Sequence, residues 1–216
     1  APAAFIGALA ALLLVYTLSQ RRGFVEPVSL ILVGVIVGVV CGAATIFLGH
    51  LMPDGGYAVS RWTIGSLSDD TPRIALLTTS LLAAVCLTVA LAFGRAMDVA
   101  ALGDDEAQTA GVPIARLRLV LFILAGALTA NAVVLAGPIG FVGLVCPHIV
   151  RLLAGVTHRP LLIGSALAGA ALVIGADAAV KSVNLASGRM PIGVITALVG
   201  GPVFILLLRR DSARTT

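Results

Sequence analysis

The residues of this chain that could do chemistry are few and scattered. Asp177 and Lys181 stand four apart in one segment. At that spacing a carboxylate and an ammonium meet on one helical face and lower each other's cost of burial. Lys181 is the sole lysine and follows Val180, so the chain contains no GxxxxGK[ST] loop and cannot itself cradle the phosphates of ATP in that way. His50, His148 and His158 are far apart and show no metal-ligand spacing, and HExxH is absent, so no metal site is expected. Ser165 with His148 would be the raw material of a nucleophile and base, but no third group is present to orient the pair. Cys41, Cys86 and Cys146 lie inside apolar runs with no CxxC, and read as small packing residues. Thr45, Thr129, Asn131 and Thr196 are uncharged polar residues in apolar surroundings, suited to bonding a neighbouring helix. No acid lies near the middle of an apolar run, which argues against a proton-coupled pump. The pattern is not that of an enzyme.

The elements that position these residues follow from composition. Of 216 residues, 59% are hydrophobic and 11% charged, with a net charge of +4. A soluble domain carries about a quarter of its residues as charges. One buried core cannot absorb the difference, whereas lipid lets a helix be apolar all round. Abundant Gly and Ala with few aromatics exclude a β-barrel, which needs alternating strands and aromatic girdles. The expected class is all-α: a polytopic transmembrane helical bundle. The chain opens APAAFIGALAALLLVYTLSQ, with neither Met nor a basic stretch before the apolar run. That beginning predicts entry part-way into a longer protein.

The segment GPIGFVGLVCPHIVRLLAGVTHRP, 137–160, decides the topology. The apolar run that contains it starts near 119 and is too long for one crossing of about 30 Å. Splitting it at Gly137-Pro138 puts Arg21, Arg22, Arg95, Arg116, Arg118, Arg151, Arg159, Arg209, Arg210 and Arg214 on the cytoplasmic side, as the positive-inside rule requires. Arg61, Arg73, Lys181 and Arg189 fall outside. A single crossing would divide the basic residues evenly. The sequence therefore predicts about seven spans, over 2–20, 28–50, 74–94, 118–136, 140–154, 161–181 and 191–208, with Pro147 kinking or loosening the short return helix.

Two spans carry small residues at four-residue spacing, Gly34/Gly38/Gly42 and Gly193/Ala197/Gly201. Such faces let helix backbones approach closely, either inside the bundle or at a dimer or pore-lining face. The cytoplasmic connection RAMDVAALGDDEAQTAGVPIARL, 95–117, has the makings of two short helices. Asp98 is positioned to cap the first, with Gly103 as its stop. Asp104 is positioned to cap the second, with Gly111 and Pro113 ending it. A two-helix knob of this kind suits docking to a soluble partner.

With these residues in view, the chain resembles the FecCD-type permeases, the membrane subunits of bacterial ABC importers for iron-siderophores, haem and vitamin B12. The resemblance is carried by RWTIGSL (61–67), MDVAALGDDEAQTAGVPIARLR (97–118), AGPIGFVGLVCPHIVRLL (136–153) and RMPIGVITALVGGPVFILLLRR (189–210). It implies ten spans in the family plan, of which this chain supplies spans four to ten. Residues 1–216 would be one transmembrane permease domain, N-terminally incomplete, with coupling helices over 97–116 and a short outer helix at RWTIGSL.

The resemblance also implies roles. Leu102, Gly103, Asp104, Glu106, Ala107 and Gly111 would meet a groove of an ATP-binding subunit, which holds ATP and Mg; the permease itself binds no cofactor. Lys181 and Arg61 would face a substrate-binding protein at the outer side. The family pattern there is ADxxAR; here Lys181 keeps the charge without the bidentate guanidinium fork. Gly34, Gly38, Gly42, Gly193, Ala197 and Gly201 would line or pack the path beside a second permease subunit, identical or related. The inner gate would lie at Glu26 and Pro27, where a proline departs from the family pattern. The implied function is import of a ferric siderophore, with haem or vitamin B12 as alternatives, across the bacterial cytoplasmic membrane in a multi-pass subunit. Lipid surrounds it and nucleic acid has no part. From a different class, an ATP-independent membrane channel or scaffold is the alternative.

Overall fold

The computed structural model of the chain describes residues 2–21, 24–25, 27–51, 63–67, 71–155, 157–182 and 190–212. A helix stands over each predicted span: α1 (Pro2–Ser19), α2 (Pro27–Leu51), α3 (Arg73–Ala92), α6 (Ile114–Ala136), α7 (Val142–Ala154), α8 (His158–Ser182) and α9 (Ile192–Ser212). Two short helices, α4 (Gly94–Ala100) and α5 (Asp104–Thr109), lie between α3 and α6. A two-residue antiparallel pair, β1 (Gln20–Arg21) with β2 (Phe24–Val25), joins α1 to α2. Among the described residues, four helices are long and apolar enough to cross a membrane: Val28–Leu51, Arg73–Ala92, Ile114–Ala136 and His158–Ser182. Phe5–Ser19, Val142–Ala154 and Ile192–Leu207 are shorter apolar helices.

Side-chain contacts fix the directions of the helices. Tyr16 stacks near Phe122, with ring centroids 5.5 Å apart, and Leu12 packs against Gly126, so α1 runs antiparallel to α6. Val142 lies against Gly169 and Val150 against Gly164, so α7 runs antiparallel to α8. Phe141 lies against Gly200, and the His148 ring meets Phe204 edge-on at 6.5 Å, so α7 runs parallel to α9. Asn131 of α6 meets Thr79 near the start of α3, and Arg159 at the start of α8 meets Leu91 near the end of α3, so α6 and α8 run the same way and the chain reverses between α6 and α7, at the predicted Gly137-Pro138 break. Gly137 ends α6 with φ 67, a value that favours glycine. The helices sort into two ends. Arg21, Arg118, Arg151 and Arg159 gather at one, with α4 and α5; Lys181 and the 136–139 turn lie at the other.

The return helix α7 is short. Its 13 residues rise about 20 Å, less than the roughly 30 Å of hydrocarbon. Val142 meets α8 about half-way along that helix, so the irregular stretch 137–141 descends to membrane depth. Backbone of that kind is stable there only where protein covers it or water reaches it. Phe141 begins the descent's last turn in the left-handed region, φ 67, the single positive-φ residue other than glycine among the described residues. Gly200 gives its side chain room; any Cβ at that position would collide with Phe141. α7 continues as helix through Pro147.

Packing within the bundle is light, as expected where lipid and neighbouring protein supply the rest. Val28 is 70% exposed, Val39 67% and Leu81 67%. These values would be severe in water and are ordinary in hydrocarbon. The apolar core cluster sits at the outer end, where Ala176, Val180 and Ile192 are buried beneath Ile139, Met190 and Ile195.

Candidate functional site

The two short helices, α4 and α5, make a knob between α3 and α6, but its carboxylates do other work than local capping. Helix α4 starts at Gly94, one residue after α3 ends at its C-cap, Phe93. Asp98 is therefore inside α4 rather than in front of it. Its Oδ1 instead accepts the backbone N–H of His158, at 2.7 Å, and lies 2.7 Å from His158 Nδ1. A side chain from one helix thus caps the first turn of another, α8, whose leading N–H groups have no partner of their own. The side-chain bond to His158 is the main cause that holds the Asp98 carboxyl below its ordinary value, with the backbone bond second. Gly103, not Asp104, is the N-cap of α5, and Asp104 makes no capping bond. Asp104 reaches back to Arg118 of α6 at 2.8 Å, with both side chains about half exposed.

The other knob residues divide by exposure. Leu102 is 73% exposed, an apolar side chain held out at the charged end of the bundle. Glu106 is exposed and folds back over Gly103, leaving no room for a Cβ there; Gly103 has φ 143. Gly111, with φ 81, turns the chain toward Pro113 and α6. Ala107 corrects the expectation for a contact residue. It is fully buried within the knob and can offer a partner no surface.

Arg159, next to the Asp98–His158 contact, spans a third element. Its Nε donates to the carbonyl of Leu91 at 3.2 Å. Its side chain also crosses Gly94, where a Cβ would sit 2.5 Å from Arg159 Cγ. The end of α3, the start of α4 and the start of α8 therefore meet at two consecutive residues, His158 and Arg159.

At the other end, beside the apolar cluster of Ala176, Val180 and Ile192, the hydrogen bonds between segments are made by backbone. The N–H of Ser66 donates to Ala136 O at 2.8 Å, and that of Gly193 to Gly65 O at 3.4 Å. Gly65, with φ 81, lies under the Pro138 carbonyl, and a Cβ at Gly193 would overlap the Ile64 carbonyl. Asp177 and Lys181 form the predicted pair at 2.9 Å near this end.

The small-residue faces separate. A Cβ added at Gly34, Gly38 or Gly42 would meet nothing within 4 Å beyond α2 itself among the described residues. Gly193 is filled by Ile64, Ala197 is exposed, and a Cβ at Gly201 would sit 3.7 Å from the Phe141 ring, with Gly200 the closer neighbour of that ring. These six residues do not form one surface. Of the polar mid-span residues, Asn131 bonds across helices, from Nδ2 to Thr79 O at 3.0 Å. Thr45, Thr129 and Thr196 each donate to a carbonyl of their own helix, at 2.8, 2.8 and 3.1 Å, as hydroxyls at i−3 or i−4 do when no partner crosses. Among the described residues Ser165 Oγ is buried with no hydrogen-bond partner, so the contact with His148 that a hydrolase would need is not made. Cys86 and Cys146 are buried free thiols and Cys41 is an exposed one. Among the described residues, no three His, Cys, Asp or Glu side chains are placed to hold a metal ion. Arg61 and Glu26 lie outside the described residues, and Pro27 is the first residue of α2.

Local sequence signals could have found the Gly137 turn and the Asp177–Lys181 pair. Nothing in the sequence pointed to Asp98 with His158, to Gly94 with Arg159, or to Phe141 with Gly200, because each pairs positions on different helices.

The model of the FecCD transport family matches residues 1–210. The chain is 38% identical over 209 residues to the hemin transport system permease protein of Yersinia pestis, covering 96% of this chain and 62% of that protein. It is 39% identical over 217 residues to the cobalamin import system permease protein of Halobacterium salinarum, covering 99% of this chain and 57% of that one. The chain thus spans about three fifths of the length of these curated relatives. A solved structure described as an inward-facing conformation of a metal-chelate type ABC transporter matches with a TM-score of 0.82 and 28% identity, over 96% of this chain and 72% of that one.

Proposed function

The chain belongs to the FecCD transport family, and from that premise we propose that it is part of the permease subunit of an ATP-driven importer for bulky metal chelates. It is a multi-pass protein of the cytoplasmic membrane. The cargo is a ferric siderophore; haem and cobalamin, which the relatives' names carry, are chelates of similar bulk. The chain does no covalent chemistry. ATP and Mg are held by a separate ATP-binding subunit, and the permease converts the motion of that subunit into a change of access.

The observation that carries this reading is the knob. An apolar side chain 73% exposed, Leu102, stands at the aqueous end of the bundle beside exposed Asp105 and Glu106. Water disfavours that exposure, and a partner's groove removes it. Leu102, Gly103, Glu106 and Gly111 form the docking face, and Asp104 holds it to α6 through Arg118. A substrate-binding protein docks at the outer end, where its acidic groups would compete with Asp177 for Lys181; Arg61 is the second basic contact. The open Gly34/Gly38/Gly42 face of α2 takes a second permease subunit. Glu26 and Pro27 lie at the inner gate. The irregular 137–141 stretch, with Pro138 and Gly140 exposed at membrane depth, suits a hydrated path.

The test uses the full-length permease with its ATP-binding subunit. Leu102→Asp is expected to reduce the ATPase recovered with the permease at least tenfold, while the amount of permease in the membrane is unchanged. Equal recovery overturns the docking assignment. If the unmodified permease brings down no ATPase, and energy depletion leaves uptake of haemin, cobalamin or a ferric siderophore unchanged, the ATP-independent channel is the better account.

A further inference from the structure

The knob could be a passive lever, free to pivot on its two glycine turns, or it could be fixed to particular spans. The contacts at its base favour the second, and they are unequal. On the α5 side there is one ion pair, Arg118 with Asp104, open to solvent on both partners. Such pairs hold weakly. On the α4 side, Asp98 Oδ1 meets both the backbone N–H and the Nδ1 of His158 at 2.7 Å. Arg159 adds a bond to Leu91 O at 3.2 Å and lies across Gly94. The backbone bond matters most for geometry, because it fastens Asp98 to the axis of α8 itself rather than to a mobile side chain. Helix α8 then runs 25 residues, about 37 Å, to the Asp177–Lys181 pair at the opposite end.

We propose that Asp98, His158 and Arg159 form a latch that makes α4 and α8 one rigid body, so that a push on the knob is delivered to α8 and through it to the outer end. Asp98 is a positioning residue in this scheme; it touches neither cargo nor nucleotide. The long helices packed directly on α8, namely α3, α7 and α9, follow it, while α2, which packs against α1 among the described elements, does not. The inference rests on the importer reading above, since it presumes an ATP-binding subunit that pushes.

The test measures rigidity directly and needs no cargo. Cys41, Cys86 and Cys146 are replaced by alanine in the full-length permease, and spin labels are placed through Arg95→Cys on α4 and Ile174→Cys on α8, both exposed sites. The distance between them is read in the complex with its ATP-binding subunit, without nucleotide and trapped with Mg-ATP and orthovanadate. With the latch intact, the distance is expected to be the same in both states. Asp98→Ala is expected to widen the distribution and to shift it on trapping by roughly the 1–2 Å of a helix displacement, or more. Asp98→Asn keeps an acceptor for the His158 N–H and is expected to lie between the two. An unchanged, equally narrow distance in Asp98→Ala or, where that variant does not assemble, in Asp98→Leu, or a shift in the unmodified complex, overturns the latch. Failure of the unmodified permease to bind the ATP-binding subunit at all would instead count against the importer reading, so the two failures are distinguishable.

Discussion

The two ends of the bundle are held together by different kinds of contact. At the charged end, α3, α4, α5, α6 and α8 meet through side chains: Asp98 with His158, Asp104 with Arg118, Arg159 with Leu91 O. At the outer end, residues 64–66, 136–138 and 193 meet through backbone, carbonyl against glycine. A side-chain contact can break and re-form as helices shift, whereas a backbone contact in a space cut for glycine has one arrangement. The difference suits the proposed importer, driven from the charged end and braced at the outer one.

The same substitution at each end tests this contrast. Gly193→Ala drives a methyl into the Ile64 carbonyl, which cannot move without moving the outer segment. It is expected to cost about 3 kcal/mol, read as a lower thermal midpoint of the detergent-solubilised protein. Gly94→Ala meets only the Arg159 side chain, which can swing aside. Its expected cost is about 1 kcal/mol, with the Arg159 bond to Leu91 given up. Equal losses at the two glycines would break the comparison.

Smaller effects refine it. Arg118→Ala removes a pair that is solvent-exposed on both sides, so it should cost no more than about 1 kcal/mol and matter less as salt rises. The pH response of the latch has a definite sign. The folded-state Asp98 carboxyl lies below its ordinary value of 3.8. The stability gained from its ionised form is therefore full above that value, and is lost as the pH falls through the lower folded-state value. The contribution, measured as the difference in thermal midpoint between the unmodified chain and Asp98→Asn, should survive from neutral pH to mild acid and disappear in strong acid.

Much of this was legible in the sequence where the signal is local. Gly137-Pro138 ends α6 by its own backbone preferences, and the basic residues pick the topology in which that break is a reversal. Asp177 and Lys181 pair because one helix brings them together. The capping roles that the sequence suggests for Asp98 and Asp104 fail for the opposite reason. Locally each is a plausible cap, but α4 begins earlier than the pattern suggests, and distant partners, His158 and Arg118, compete successfully for both carboxylates. Thr45, Thr129 and Thr196 bond within their own helices for want of a crossing partner, and Asn131 found one only because Thr79 of α3 faces it. Ala107 is small and lies in the proposed docking segment, yet is buried, because the fold of α5 back onto the chain is a tertiary event. The neighbours of a glycine are likewise invisible until helices pack, which is why the four-residue spacing points to Gly34, Gly38 and Gly42 while the close approaches fall at Gly94 and Gly200.

The most direct test of this division of labour is the sidedness of its two ends. Single cysteines at Leu102→Cys and Pro138→Cys, in the alanine background, are probed with a membrane-impermeant maleimide in intact spheroplasts and in inverted vesicles. The account predicts that Leu102→Cys reacts only in inverted vesicles and Pro138→Cys only in spheroplasts. Reaction of both from the same side would contradict it.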